Sequence, residues 1–204
     1  MLETTALACE RGGLRLFSDL GFALDPGELL RVRGPNGSGK TSLLRILAGL
    51  TRPAAGSVRW RGSTIGELAE DYGREMLFLG HAAAVKDELT VVENLEFSAC
   101  ISGLKNSDCR QALEILGIAR LADLPAHYLS QGQRKRSALA RLALAAAVPL
   151  WLLDEPFAAL DEEGIERVRR LAAEHLSAGG MLVLTSHQEI PVEARAEHSV
   201  ALGS

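Results

Sequence analysis

The sequence predicts an α/β fold with a mostly parallel core sheet, an antiparallel β edge and an inserted helical subdomain. Two late segments, Leu150–Leu153 and Met181–Leu184, are apolar at every position. Such runs are typical of strands buried on both faces of a parallel sheet. The earlier extended segments alternate more between polar and apolar residues, which favours an antiparallel edge. Between Leu89 and Val148 the pattern turns helical, so a helical subdomain is predicted to interrupt the strand-bearing parts.

Eight strands are predicted along the chain. They are Leu2–Cys9, Leu20–Leu24, Glu28–Arg33, Ser57–Trp60, Met76–Leu79, Leu150–Leu153, Met181–Thr185 and His198–Leu202. The helix starts are also marked, because Thr90 with Glu93 and Asp108 with Gln111 have the spacing of a capping box. Gly117 is predicted to close the second of these helices.

Composition narrows the possible functions. At 204 residues and 21.8 kDa the chain is long enough for one α/β domain with a small subdomain, but not for two full domains. A net charge of −4 gives no general basic field, so we expect no nucleic-acid partner. The three cysteines lack paired ligand spacing, which disfavours a disulfide framework or a zinc site. No signal peptide is expected, and no apolar run reaches the roughly 20 residues that span a bilayer, so a membrane role would require a partner.

A phosphate loop follows the third predicted strand and precedes a helical pattern. The loop consists of Gly34, Pro35, Asn36, Gly37, Ser38, Gly39, Lys40 and Thr41, and Ser42 comes next. This run fits G-x-x-x-x-G-K-[ST], in which the glycines let backbone amides wrap a phosphate at a helix N-terminus. Lys40 is predicted to reach the β- and γ-phosphates of ATP, and Thr41 to ligate Mg²⁺. The alternative is a structural glycine-rich turn.

Two further strand ends carry candidate catalytic groups. The apolar strand Leu150–Leu153 ends in Asp154 and Glu155. Asp154 is the candidate partner of Mg²⁺, and Glu155 the candidate general base that polarises the attacking water. The alternative for this pair is a solvated acidic turn. His187 follows the strand Met181–Thr185 and could donate to a γ-phosphate, although a lone histidine is more often an incidental loop residue.

A second phosphate-binding element opens a later helix at Leu129–Gln133. Ser130 and Gln133 have capping-box spacing, and Gly132 permits close approach of a phosphate to the helix N-terminus. Capping alone would also explain Ser130 and Gln133. One nucleotide does not need two cradles, so this one is expected to serve ATP held by another copy of the chain. The run Gln133–Arg136 is predicted to be a solvated helix face, with a binding patch as the alternative. Asp161 is predicted to cap the helix that follows it.

In this order, the motifs resemble those of the ATP-binding subunits of ABC transporters over essentially the whole chain. The matching segments are Gly34–Thr41 (Walker A), Leu129–Gln133 (signature), Leu150–Asp154 with Glu155 (Walker B and catalytic glutamate), Ala159–Asp161 (D-loop) and His187 (switch histidine). The resemblance implies one P-loop NTPase domain of ABC type over 1–204, with the nucleotide-binding core at 1–81 and 148–204 and the helical signature subdomain at 82–147. It also implies a head-to-tail dimer that binds two ATP molecules, each between one subunit's Walker A and the other's signature loop.

Finer details resemble the ATPase subunits of the cytochrome c maturation system. The segments that carry this likeness are Leu79–His81, Glu88–Thr90, Glu93–Leu95 and Leu153–Phe157. The resemblance implies a peripheral ATPase on the cytoplasmic face of the bacterial inner membrane. Its partners would be integral-membrane transporter subunits, and its ATP cycle would serve haem handling and release of a haem chaperone. The ATPase subunit of another small-substrate or lipid transporter is the alternative; a nucleic-acid-directed ABC ATPase and a small-metabolite kinase are disfavoured.

Three positions depart from the general pattern of the superfamily. Gln131 replaces the middle glycine of the signature, which is expected to be tolerated because Ser130 and Gly132 carry the phosphate contacts. His81 falls where most relatives carry a glutamine that senses Mg²⁺ through water, so His81 is expected to approach the metal through a water. Arg11 falls near the usual aromatic residue that stacks on adenine. Because a guanidinium plane also stacks on a base, Arg11 is expected to bind the nucleotide with less base preference.

Overall fold

The computed structural model describes residues 1–104 and 108–203. The strands are β1 (Leu2–Arg11), β2 (Leu14–Leu24), β3 (Glu28–Arg33), β4 (Ala55–Trp60), β5 (Ser63–Thr64), β6 (Met76–Leu79), β7 (Leu150–Asp154), β8 (Met181–Thr185) and β9 (Ala196–Ala201). The helices are α1 (Lys40–Leu47), α2 (Ile65–Leu68), α3 (Glu70–Arg74), α4 (Val91–Ile101), α5 (Cys109–Ile115), α6 (Gln131–Leu139), α7 (Arg141–Leu144) and α8 (Glu162–Ser177). None of the helices described is long and apolar enough to cross a membrane.

The parallel sheet has five strands in the order β6-β7-β8-β3-β9. Every residue of β7 and β8 is buried, as their uninterrupted apolar sequences predict. Because β7, β8 and β3 are neighbours and run in the same direction, the loops that follow them meet at one edge of the sheet. In open α/β sheets this edge is where ligands bind.

The antiparallel strands form a sheet of their own, in the order β2-β1-β4-β5. The predicted antiparallel region is therefore a second sheet and not an edge of the parallel one. β2 begins at Leu14 and not at Leu20, because a hairpin turn at Gly12 and Gly13 returns the chain directly onto β1. Both glycines have positive φ angles, 59° and 77°, which glycine adopts readily. The short strand β5 was not predicted.

Two apolar clusters lie on opposite faces of the parallel sheet. Leu30 and Val32 of β3 pack with α1 and the antiparallel sheet. Leu29, on the other face of β3, belongs to a cluster that includes α8 and the helical segment. The helical segment therefore shares a core with the parallel sheet. The division of the chain at residues 82 and 147 stays a prediction, and its residues 105–107 lie outside the described part.

The predicted helix caps are confirmed. Thr90 accepts a hydrogen bond from the Glu93 amide at 3.3 Å, while the Glu93 carboxylate accepts one from the Thr90 amide at 2.8 Å. Asp108 accepts from the Gln111 amide at 2.9 Å at the start of α5. Gly117 has a φ of 72° just after that helix, as a C-terminal glycine requires. Helices α4 and α5 therefore begin directly after the residues whose side chains cap them, and α5 ends just before Gly117.

Candidate functional site

The phosphate loop connects β3 to α1, and its glycines adopt backbone angles that other residues rarely take. Gly34, Gly37 and Gly39 have φ values of 146°, 83° and 101°. A Cβ on Gly34 would lie 2.5 Å from the carbonyl oxygen of Leu202 and 2.6 Å from the Ser38 hydroxyl. Only glycine therefore allows the loop to turn at this point against the segment that follows β9.

A cavity of about 520 Å³ lies over this loop, and we call it the nucleotide cavity. It is lined by Arg11, Leu16, Pro35, Asn36, Gly37, Gly39, Lys40, Thr41, Ser42, His81, Asp154, Glu155, Ala158 and His187. The structure thus brings together most of the site residues predicted from the sequence, although they come from five separate segments. Gly34 and Ser38 belong to the loop but are not in this lining. Gly34 faces Leu202, and the buried Ser38 hydroxyl has no hydrogen-bond partner among the described residues.

The Lys40 ammonium lies across the loop that precedes it. Its Nζ donates to the carbonyl oxygens of Gly34 and Pro35 at 2.7 and 3.2 Å. The Nε2 atom of His187 lies 3.5 Å from the same nitrogen. Lys40 and His187 therefore approach the same point, although they are 147 residues apart in the chain.

Two threonine hydroxyls fix the carboxylate of the buried Asp154. The Thr41 hydroxyl donates to Asp154 Oδ2 at 2.7 Å, and the Thr185 hydroxyl donates to Asp154 Oδ1 at 2.8 Å. The Thr185 oxygen also accepts from the Glu155 amide at 2.9 Å. Thr185 was not identified from the sequence as a site residue. Its signal is a hydroxyl at the end of the otherwise apolar strand β8, in register with Asp154 on β7.

Glu155 stands in a strained conformation beside His187. Its φ is 49°, a left-handed value that is uncommon for a residue with a side chain. Glu155 Oε2 accepts from the His187 amide at 3.3 Å, and His187 Nε2 lies 3.4 Å from Glu155 Oε1. Oε1 is buried and accepts no hydrogen bond from the described residues. The carboxylate therefore has one oxygen bonded to the His187 amide and a second, buried oxygen that faces His187 Nε2 without a hydrogen bond.

The second predicted cradle forms the N-terminus of α6, and its capping box is confirmed. The Ser130 hydroxyl accepts from the Gln133 amide at 3.3 Å, while Gln133 Oε1 accepts from the Ser130 amide at 2.9 Å. A Cβ on Gly132 would lie 2.9 Å from the carbonyl oxygen of Ala159. Among the residues that the structure describes, these three contribute nothing to the lining of the nucleotide cavity. The two cradles of one chain are separate sites.

The prediction that Gln133–Arg136 is a solvated face was wrong, because all four residues are half-buried. Arg134 forms an ion pair with Asp87, and Arg136 forms one with Asp161. Lys135 is half-buried, and its burial lowers its pKa. The carboxylates of Asp154 and Glu155 act in the opposite direction but do not outweigh the effect of burial. The error arose because the sequence does not show that α6 lies against the loop that holds Ala159 and Asp161 and beside α4 and α7. Asp161 also caps α8 as predicted, accepting from the Gly164 amide at 2.9 Å.

Arg11 and His81 are both exposed at the surface of the nucleotide cavity. Arg11 ends β1 on the hairpin, next to Leu16 of β2, which lies against the phosphate loop: a Cβ on Gly39 would be 3.1 Å from the Leu16 Cβ. His81 follows β6 and also borders a neighbouring cavity that reaches α6. Both residues therefore lie at the cavity as predicted, and their roles stay predictions.

Comparison with known proteins assigns the chain to a family. Residues 17–158 match the ABC transporter family. The cytochrome c biogenesis ATP-binding export protein CcmA of Nitrosospira multiformis is 48% identical over 96% of this chain and 95% of its own length. The protein of the same name from Methylococcus capsulatus is 50% identical over 91% of this chain and 90% of its own.

Solved structures show the same fold. A dimeric bacterial ABC transporter cassette matches with a TM-score of 0.77 and 26% identity over 92% of this chain and 88% of that one. The ATP-binding subunit of an ABC transporter matches with a TM-score of 0.79 over 91% of this chain and 79% of that one, at 24% identity, and shows the fold alone. The family match over residues 17–158 and the near full-length relatives show that the chain belongs to the ABC transporter family, as one of its ATP-hydrolysing subunits.

Proposed function

We propose that this protein is the ATPase subunit of an inner-membrane ABC complex for c-type cytochrome biogenesis. The observation that carries the proposal is the identity of 46 to 50%, over nearly the full chain, with proteins named for cytochrome c biogenesis and export. In this role the protein works peripherally at the cytoplasmic face of the membrane. It transmits the energy of ATP hydrolysis to integral-membrane subunits, which use it for haem handling or release of a haem chaperone.

ATP occupies the nucleotide cavity with its phosphates on the loop Gly34–Thr41. The backbone amides of the loop and of Ser42 donate to the phosphate oxygens at the N-terminus of α1. Lys40, whose ammonium lies over the loop carbonyls, turns to the β- and γ-phosphates. Arg11 stacks its guanidinium on the base beside Leu16, because these two side chains form the hairpin side of the cavity.

The same cavity has a donor set that fits Mg²⁺. The Thr41 hydroxyl and the Asp154 carboxylate are hard oxygen donors whose atoms already lie 2.7 Å apart. Thr41 would ligate the ion, Asp154 would hold Thr41 in place through their hydrogen bond, and His81 would approach the ion through a water. When bound, Mg²⁺ neutralises charge on the β- and γ-phosphate oxygens.

Glu155 is the general base and His187 positions the reactants. The free acceptor Oε1 of Glu155 takes a hydrogen bond, and then the proton, from the water that attacks the γ-phosphate. His187 is held beside Glu155 by its amide and directs Nε2 towards the position shared with Lys40. From there it donates to a γ-phosphate oxygen where negative charge gathers.

A second copy of the chain completes each site. Ser130, Gly132 and Gln133 form a capped helix start, in which the capping box bonds the Ser130 and Gln133 amides and leaves the Gly132 amide without an acceptor among the described residues. All three residues lie outside their own chain's nucleotide cavity. In a head-to-tail dimer, each α6 N-terminus meets the γ-phosphate bound by the partner subunit. The likeness to a dimeric cassette supports this assembly.

Mixing two inactive variants tests this division of labour. Lys40→Ala removes the phosphate-loop ammonium, and Ser130→Arg blocks the α6 N-terminus, so each homodimer should hydrolyse ATP at less than a hundredth of the wild-type rate. A mixed dimer of the two contains one site in which both halves are intact, if the halves come from different chains. We therefore expect ATPase activity to return on mixing, to at most about half of the wild-type value per mixed dimer.

If instead each chain uses its own two cradles, every site in the mixture carries one defect and no activity returns.

The cytochrome role is tested separately, by producing the chain in a bacterium that lacks its own ATPase for cytochrome c biogenesis. Haem-stained c-type cytochromes should reappear with the wild-type chain and stay absent with Glu155→Gln. Restored cytochromes with Glu155→Gln, or none with the wild-type chain together with its own membrane subunits, would contradict the proposal.

A further inference from the structure

His187 lies on a connector that has no regular structure of its own. The connector consists of residues 186–195, which join β8 to β9 and form neither helix nor strand. The His187 side chain is 52% exposed, so packing alone does not hold it. Its proposed role nevertheless requires Nε2 to meet the γ-phosphate beside Lys40. Contacts from outside the connector must therefore fix its course.

Two arginines of β3 hold the connector just beyond His187. Arg31 donates through Nη2 to the carbonyl oxygen of Ile190 at 2.6 Å. Arg33 donates to the Glu189 carboxylate at 2.7 Å. Both arginines line a cavity of about 200 Å³ that His187 also lines. The strand that leads into the phosphate loop therefore also carries the contacts that hold the connector.

The Arg31 contact is the more rigid of the two. Its side chain is only 7% exposed, whereas that of Arg33 is 47% exposed. Arg31 Nε also donates to Glu197 Oε1 at 2.5 Å, so the planar guanidinium is held in one orientation. Glu197 lies on β9, which pairs with β3 on the side away from β8. A guanidinium fixed by β9 therefore fixes the Ile190 carbonyl, three residues beyond His187.

A buried arginine is an unexpected residue at this place in β3. The neighbouring residues Leu29, Leu30 and Val32 are apolar and buried. The third nitrogen of Arg31, Nη1, is also buried and has no acceptor in the part of the chain that the structure describes. Burying a charge with an unsatisfied donor is unfavourable, and a well-packed apolar residue is often at least as stabilising. Stability of the fold therefore does not explain Arg31, whereas its hold on the connector does.

We propose that Arg31 is a positioning residue for His187, which holds the connector so that the imidazole reaches the γ-phosphate. The inference rests on the proposed hydrolysis, in which His187 donates to a γ-phosphate oxygen. Glu155 has an anchor of its own, because the Thr185 hydroxyl accepts from its amide at 2.9 Å. Loss of the Arg31 side chain should therefore displace the imidazole and leave ATP binding on the phosphate loop intact.

Single-turnover hydrolysis of ATP with Mg²⁺ by the full chain tests the inference. Arg31→Met keeps a long side chain but removes both hydrogen bonds. We expect hydrolysis to slow about tenfold or more, because a small displacement of a catalytic group lowers the rate substantially. The Kd for a non-hydrolysable ATP analogue should change less than about twofold. The control Arg110→Met also removes an ion pair, at 2.6 Å to Asp123 in the helical segment, and should hydrolyse ATP at the wild-type rate.

A double variant separates positioning of His187 from general damage to the fold. If Arg31 acts through the imidazole, adding Arg31→Met to His187→Ala should slow hydrolysis by less than about twofold further. Arg31→Lys is a second variant, since it keeps the charge but replaces the planar fork with a single ammonium. That ammonium cannot hold Glu197 and Ile190 as the fork does, so Arg31→Lys should also be slower than the wild type.

Equal hydrolysis by Arg31→Met and the wild type would overturn the inference. A slowing that persists undiminished in the His187→Ala background would do so too, because Arg31 would then act by another route. Loss of analogue binding by both Arg31 variants would show that the residue supports the fold and would likewise overturn it. Any of these results, with hydrolysis by the wild type, rejects the positioning role alone, whereas absence of hydrolysis by the wild type rejects the proposed function.

Discussion

Thr185 links the two catalytic strands, and replacing it with valine gives a sharp test of the site. The Thr185→Val side chain fills a similar shape but removes the hydroxyl that donates to Asp154 at 2.8 Å and accepts from the Glu155 amide at 2.9 Å. Thr185 is fully buried, so water cannot replace it. Each group that loses its partner in a buried position costs about 1 to 3 kcal/mol, so the variant should lose about 2 to 6 kcal/mol of unfolding free energy.

Activity should fall as well, because the lost hydrogen bond holds Glu155 at its strained φ of 49°. A small displacement of a catalytic group can lower the rate substantially, and we expect kcat to drop about tenfold to a hundredfold. Urea unfolding and steady-state phosphate release measure the two effects. Thr185→Ser is the control, since it keeps the hydroxyl and removes only a methyl group. If Thr185→Val is as stable and as active as Thr185→Ser, the hydroxyl does not position these carboxylates.

Three further predictions concern other parts of the chain. His175 is buried and stacked on Trp151 with ring centres 3.9 Å apart, and burial lowers its pKa below the ordinary 6.5. The folded protein therefore favours neutral His175, and the unfolding free energy should fall by up to about 1.4 kcal/mol per pH unit as the pH drops below 6.5. Urea unfolding of the wild type and of His175→Phe measures this effect. An equal pH dependence in the two proteins would refute it. Arg11→Ala should weaken ATP and GTP binding alike, by about threefold to tenfold, since stacking on a guanidinium does not select a base. Competition titrations with the two nucleotides measure this. A loss of affinity for only one of them would show that Arg11 contacts base edges. Gly34→Ala should lower the unfolding free energy by at least about 2 kcal/mol more than Gly37→Ala does. The reason is that a Cβ on Gly34 would contact Leu202, whereas a Cβ on Gly37 would contact nothing within 4 Å. Similar thermal unfolding of the two variants would contradict the close contact at Gly34.

Much of the fold could be read from local patterns. The uninterrupted apolar runs of β7 and β8 predicted central strands, and all five residues of each are buried. The capping pairs Thr90–Glu93 and Ser130–Gln133 predicted helix starts, because capping depends on residues only three positions apart. The separate antiparallel sheet and the full length of β2 were missed, since the pairing of strands depends on contacts between distant segments.

The site divides in the same way. Its motifs could be recognised because Gly34–Thr41, Leu129–Gln133 and Asp154–Glu155 are short and contiguous. Thr185 could not, since a hydroxyl at a strand end acquires meaning only when β8 lies in register with β7. Lys135 could not be distinguished from its neighbours either, because in the sequence all three belong to one basic run. Only the packing of the helix shows that Arg134 and Arg136 pair with carboxylates whereas Lys135 pairs with none among the described residues.

The sequence by itself determined the α/β class, the phosphate loop, the strand-end carboxylates and the presence of a second cradle, because each is written in a few adjacent residues. Only the tertiary structure decided that Asp154 is held between Thr41 and Thr185 and that one buried oxygen of Glu155 is left without a hydrogen bond beside His187. It also decided that Ser130 lies away from its own chain's nucleotide cavity. These facts depend on hydrogen bonds and packing between distant segments, such as the bond between Thr41 and Asp154, which are 113 residues apart, and no local pattern of side chains specifies them.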